Sequence, residues 1–91
     1  MVEREVVEER IRTGISEVEH LQIEDLTGTL DHYQAVVVSR AFEGRTRLEQ
    51  HQMVYRALGE LMGGSIHALA LHTYTPEAWL AKHRAGSSAD G

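Results

Sequence analysis

Apolar residues recur at helical spacing from the start of the chain. Val2, Val6, Val7 and Ile11 share one face, which predicts a helix over 2–13 with Gly14 as its stop. Residues 20–26 alternate instead, with Leu21 and Ile23 on one side, and predict a strand. Thr27–Asp31 is a short turn. His32–Ser39 holds Tyr33, Val36, Val37 and Val38 and predicts a second strand, paired with the first as an antiparallel hairpin. Glu43-Gly44 breaks the pattern. From Arg45 to Met62 the spacing is helical again, with Leu48, His51, Tyr55, Leu58 and Met62 on one face, joined by Val54 and Leu61. Gly63-Gly64 is read as the stop. A third strand begins at Ile66. Thr75 is an N-cap with Pro76 at the first position of a short last helix carrying Trp79 and Leu80.

The order is therefore α-β-β-α-β-α. A strand–helix–strand crossover makes the third strand parallel to the second. The expected fold class is α+β: a three-stranded mixed sheet with helices packed on it, as one domain over 1–84, followed by a disordered tail over 85–91.

Composition narrows the function. The chain has 91 residues and no cysteine, so it supplies neither a disulfide nor a thiolate. No apolar run reaches membrane-spanning length, and the first residues are charged rather than signal-like, so a soluble cytoplasmic protein is expected. A net charge of −5 disfavours non-specific nucleic-acid binding. The charge is uneven: Arg40, Arg45, Arg47 and Arg56 face only Glu43 and Glu49 within that stretch. It reads as a mixed solvated helix face or as a small basic patch.

Histidine is the one residue type with candidate chemistry. His67 and His72 lie on the third strand at a spacing that puts them on opposite faces, so they do not form a chelate together. His67, beside the glycine turn, is either a backbone-bonded histidine or a group presented to a partner. His51 reads as a helix-packing residue. His32 opens the second strand and is expected to be exposed. His20 and His83 carry no signal. No serine sits in a nucleophile elbow, no carboxylate pair forms a dyad, and the glycines match no phosphate loop, so a stand-alone enzyme is not expected.

Several blocks together carry a resemblance. Val37-Val38-Ser39, Phe42-Glu43-Gly44, Gln50-His51-Gln52-Met53-Val54-Tyr55, Ile66-His67-Ala68-Leu69 and Thr73-Tyr74-Thr75-Pro76-Glu77-Ala78-Trp79 follow the order and spacing of the BolA family, which this chain resembles. The resemblance implies a fold similar to a type II KH domain. It implies an adaptor that pairs with a monothiol glutaredoxin bearing a Cys-Gly-Phe-Ser motif and shares a [2Fe-2S] cluster with it. The partner brings its cysteine and a glutathione thiol, and the isolated chain, a monomer or weak homodimer, binds no cofactor alone. The family's His-Ala-Leu histidine maps to His67. The second ligand comes from the loop between the first two strands, where this chain has no cysteine, and His32 is the nearest imidazole. Thr29 stands about where some members place a ligand. The family also includes transcriptional regulators that bind DNA. In that alternative Arg45 and Arg47, with Arg40 nearby, meet phosphate at the start of the long helix. The stretch Glu43-Gly44-Arg45-Thr46 has only one glycine of the KH Gly-x-x-Gly clamp.

Overall fold

The structure, a computed structural model, describes residues 3–90 and the side chains among them as far as Arg84. Val2 lies outside that range, and the expected tail lies outside the fully described residues. The centre of the fold is β2 (His32–Ser39), the run richest in β-branched residues. β1 (Val18–Asp25) pairs with it antiparallel, from Val18↔Ser39 to Asp25↔Tyr33. β3 (Ala68–Tyr74) pairs on its other side in parallel, from His32↔Ala68 to Val38↔Tyr74. The sheet order is β1-β2-β3, the mixed sheet that the hairpin and crossover predict.

Alternation along the strands divides the sheet into two faces. Ile23, Tyr33, Ala35 and Val37 point inward and join Val7, Ile11 and Ile15 with Phe42, Val54, Leu58 and Ile66 in one core. α1 (Arg4–Gly14) and α2 (Arg47–Leu58) supply the helical side of that core. Each fully buried side chain of this kind stabilises the fold by about 1.5–3 kcal/mol. α3 (Pro76–Asp90) lies against the opposite face, where Pro76, Trp79 and Leu80 gather around Val38, Glu19 and His20. Its start is capped as expected: the Ala78 N–H donates to Thr75 Oγ1 at 3.1 Å.

Other expectations are corrected. In α1, Val7 and Ile11 are buried but Val6 is exposed. Gly14 does end α1, yet its role is close packing. A Cβ built there would lie 2.5 Å from the Ala57 Cβ, so its absence lets α1 approach α2. β1 begins and ends earlier than 20–26, at Val18 and Asp25, because the Leu26 N–H already donates to the His32 carbonyl at 2.8 Å and closes the hairpin.

α2 is shorter than 45–62 and rotated from the expected face. Its start is a capping box: the Glu49 N–H donates to Thr46 Oγ1 at 3.1 Å, and the Thr46 N–H donates to Glu49 Oε1 at 2.8 Å. The α-helix stops at Gly59, at φ +56°, and a 3₁₀ turn over Gly59–Leu61 follows. Gly63-Gly64 instead serves the next turn. The buried stripe is Gln50, Val54 and Leu58, whereas Leu48 is 67% and Tyr55 40% exposed. The cause is Gln50, whose amide is spent inside the protein. Its Nε2 donates to the Arg45 carbonyl at 3.0 Å and to the Phe42 carbonyl at 3.4 Å, and Thr73 Oγ1 donates to its Oε1 at 2.7 Å. A polar residue satisfied in this way sits in a core at little cost.

β3 begins at Ala68, not Ile66. Ile66 is fully buried and belongs to the turn before the strand. Its N–H donates to the Leu61 carbonyl at 2.8 Å and its carbonyl accepts from the Gly63 N–H at 3.0 Å. His67 therefore precedes the strand.

Candidate functional site

The loop from β1 to β2 is folded around a carboxylate. Asp25 Oδ1 accepts the N–H groups of Thr27 (3.3 Å) and Gly28 (3.0 Å), and Oδ2 accepts that of Leu30 (3.2 Å). Gly28 and Leu30 take positive φ, +78° and +60°. For Leu30 that conformation costs local free energy, which the Asp25 bonds help to offset. The loop so held delivers Asp31 and His32 to the mouth of β2.

The parallel ladder brings the other half of the site to the same place. His32 pairs with Ala68, and the N–H groups of His67 and Ala68 donate to the Asp31 carbonyl at 2.8 and 3.3 Å. His67 is thereby fixed beside a loop that precedes it by more than thirty positions in the chain.

The side chains converge on one carboxylate. His32 Nδ1 lies 2.8 Å from Asp31 Oδ1, and His67 Nδ1 lies 3.2 Å from Asp31 Oδ2. Thr29 Oγ1 also donates to Oδ1. The two rings stand nearly edge to face, at 84° with centroids 6.1 Å apart. Their side chains are 42% (His32) and 62% (His67) exposed. The Asp31 carboxyl is held down at about 2, first by the Thr29 hydroxyl and then by His32, with the charge of both imidazoles adding to the effect. Asp31 is thus a carboxylate at any physiological pH. Neither Nε2 makes a hydrogen bond among the described residues. Chemically this is a pair of solvent-accessible imidazoles, each with Nδ1 turned to one carboxylate, hydrogen-bonded in His32 and at ion-pair distance in His67, and with Nε2 available.

The remaining sequence candidates lie elsewhere. His72 is exposed on the outer side of β3 and shares a recess with His51, Arg47 and Thr73. Burial, then the neighbouring Arg47 and His72, pushes the His51 imidazole below its ordinary range. Arg40 is paired with Glu19 at 2.8 Å. Arg45 and Arg47 flank the Thr46 cap but open onto separate recesses, Arg45 with Arg56 and Ala57, Arg47 with His51 and His72.

Two features escaped the sequence reading. Asp31 links the imidazoles, and its adjacency to His32 was the available signal. His20 of β1 stacks on Trp79 (5.0 Å, 24°) and Tyr74 of β3 lies 5.2 Å from it, so His20 helps to seat α3, while His83 packs on the same ring at 4.0 Å from one turn along α3. Among the described residues no cluster of three or more histidine, cysteine or acidic side chains could hold a metal ion, and no helix is long and apolar enough to cross a membrane.

Comparison with known proteins covers most of the chain. A family model described as BolA-like protein matches residues 11–78. A relative from Escherichia coli, a DNA-binding transcriptional regulator BolA, is 37% identical over 86 residues, covering 87% of this chain and 81% of that protein. A human BolA-like protein 1 is 36% identical over 83 residues, covering 80% of this chain and 61% of that protein. A crystal structure of a Bol-like protein from Babesia bovis superposes with a TM-score of 0.81 at 34% identity, covering 91% of this chain and 95% of that one. The names these relatives carry are not those of enzymes.

Proposed function

The chain belongs to the BolA family, and on that premise we propose that it is an adaptor that binds a monothiol glutaredoxin and shares a glutathione-assisted [2Fe-2S] cluster with it. The supporting observation is the pairing of His32 and His67 on Asp31, with both Nε2 atoms available. The donor set suits the cargo. Imidazole is a common ligand for iron, and a chain without cysteine complements a partner that brings thiolates.

In this reading His67 and His32 hold the chain's side of the cluster and Asp31 stands behind them. Imidazole in place of thiolate on one iron raises the cluster's reduction potential. The ligands bind as neutral rings, so acid weakens the chain's grip on the cargo. The exposure of both rings leaves room for a second protein at this end of the sheet.

The experiment mixes the chain with a Cys-Gly-Phe-Ser glutaredoxin, glutathione, iron and sulfide. A visible absorption and circular dichroism spectrum distinct from that of the glutaredoxin alone is expected. His67→Ala and His32→Ala should each remove the difference. A wild-type mixture with the unaltered glutaredoxin spectrum overturns the proposal.

A second reading, a DNA-binding regulator, is favoured by the name of the Escherichia coli relative. Arg45 and Arg47 at the start of α2 are its contact residues, with Arg40 compensated by Glu19. Each lost phosphate contact lowers the slope of log affinity against log salt by about 0.9. No binding at physiological salt, or an unchanged slope in Arg45→Ala and Arg47→Ala, rejects this reading.

A further inference from the structure

We infer that Asp31 is a positioning residue that keeps the proton of both His32 and His67 on Nδ1, by a hydrogen bond to the first ring and by its close negative charge on the second, and so makes Nε2 the ligating atom of both rings. The inference rests on the reading of these histidines as ligands. It adds which atoms bind and what selects them.

The argument is one of donors and acceptors. A carboxylate only accepts, and its two oxygens offer about four acceptor positions. Asp31 uses two of them in side-chain hydrogen bonds, both at Oδ1, from the Thr29 hydroxyl and His32 Nδ1, and its Oδ2 lies 3.2 Å from His67 Nδ1 as an ion-pair contact. A neutral imidazole carries one proton. A nitrogen lone pair close to an ionised carboxylate oxygen is repelled, so in each ring the nitrogen nearest Asp31, at 2.8 Å in His32 and 3.2 Å in His67, is the one that keeps the proton. An aspartate ionises well below the range in which a histidine becomes neutral, so Asp31 only accepts whenever the rings are neutral. Both lone pairs are then forced onto Nε2. An exposed imidazole without a partner favours the other tautomer, so the assignment differs from that of an unconstrained histidine.

One carboxylate also sets the relative placement of two rings. His32 reaches it from the adjacent position and His67 from across the parallel ladder, and each lies nearest a different oxygen. The backbone carbonyl of the same residue accepts the His67 N–H at 2.8 Å, so Asp31 holds His67 through main chain and side chain together. Such carboxylate–histidine arrangements orient metal ligands, and their loss costs 10–100-fold in metal affinity.

The test begins with the free protein. Nitrogen-15 NMR of the imidazoles, at about pH 8.5 where an ordinary histidine is neutral, reads the tautomer of each ring directly. The expected result is Nδ1–H for His32 and His67, with exposed His72 as an internal reference in the opposite or mixed form. Asp31→Asn keeps the size and the backbone but offers one acceptor oxygen and an N–H donor. At least one of the two rings should then switch to Nε2–H. If both wild-type rings resemble His72, or both stay Nδ1–H in Asp31→Asn, the inference is overturned. Asp31→Ala serves as a second variant, with backbone amide spectra confirming that each variant is folded.

A second arm measures the mixed cluster by dilution with the glutaredoxin partner. Asp31→Asn should weaken it about 10–100-fold, and equal stability in variant and wild type overturns the role. Failure of the wild type to form any mixed cluster counts against the proposed function. It leaves the tautomers of the free chain to decide the role of Asp31.

Discussion

Gln50→Leu should destabilise the protein although it places an apolar residue of similar volume in the core. Gln50 joins three elements: the turn after β2, through the Phe42 and Arg45 carbonyls, α2 itself, and β3 through Thr73. The 2.7 Å and 3.0 Å bonds are well formed, each with a net value of about 1 kcal/mol. The 3.4 Å bond to Phe42 is weaker, and that carbonyl keeps the Arg45 N–H at 3.1 Å, so the part-buried Arg45 carbonyl and Thr73 hydroxyl are the groups left without Gln50. A buried polar group left unsatisfied costs about 1–3 kcal/mol. The sum for Gln50→Leu is a loss of about 2–4 kcal/mol, a large part of the stability of a domain this size. Thr73→Val removes one bond and should cost about 1 kcal/mol. Urea denaturation followed by circular dichroism measures both. With a slope of about 1 kcal/mol per molar for a small domain, the Gln50→Leu midpoint falls by about 2–4 M. The double mutant should lose less than the sum of the singles, by about 1 kcal/mol. A Gln50→Leu variant within about 0.5 kcal/mol of wild type, or strict additivity, would refute the account of Gln50 as the pin of this corner.

Gly14→Ala places a methyl 2.5 Å from the Ala57 Cβ and should cost about 1–3 kcal/mol despite the better helix propensity of alanine. Ala57→Gly on that background should recover part of the loss in a thermal melt, and no recovery would place the strain elsewhere. His51 gives a pH signature. Its imidazole titrates lower in the folded state than the ordinary 6.5, so the unfolded chain binds that proton first. Its contribution is present above about pH 6.5 and is lost as the pH falls through the lowered folded value. His51→Leu should therefore flatten the decline in stability between about pH 7.5 and 5.5, and parallel curves for variant and wild type would exclude His51 as a source. Thr46→Ala should cost about 1 kcal/mol through loss of the capping box, with Ser in its place recovering most of it.

Much of this fold could be read where one physical signal dominated. β2 shows the correct bounds because its run of β-branched residues sits between a turn and a break. Thr75-Pro76 marks the start of α3 because capping chemistry is local. The readings that failed depend on partners far away in the chain. Gln50 is buried only because Phe42, Arg45 and Thr73 satisfy its amide, so a pattern that scores glutamine as polar turns α2 the wrong way. Gly14 ends α1 as its position suggests, but its close contact with Ala57 could not be read from its own neighbourhood. Ile66 looks like strand and is turn, because its backbone bonds go to Leu61 and Gly63. At the candidate site the two histidines could be nominated, whereas Asp31 acquires its place only once β2 and β3 align.

That alignment has a kinetic meaning. The register pair His32↔Ala68 closes a long crossover, and such distant parallel pairings are slow to form. A slip of one residue would turn every β3 side chain to the opposite face and carry His67 out of step with His32. A chain that is only partly folded can therefore offer single imidazoles but not the pair. In the proposed reading the ladder acts as proofreading: a cargo that needs both rings would be accepted only by a molecule that has finished folding.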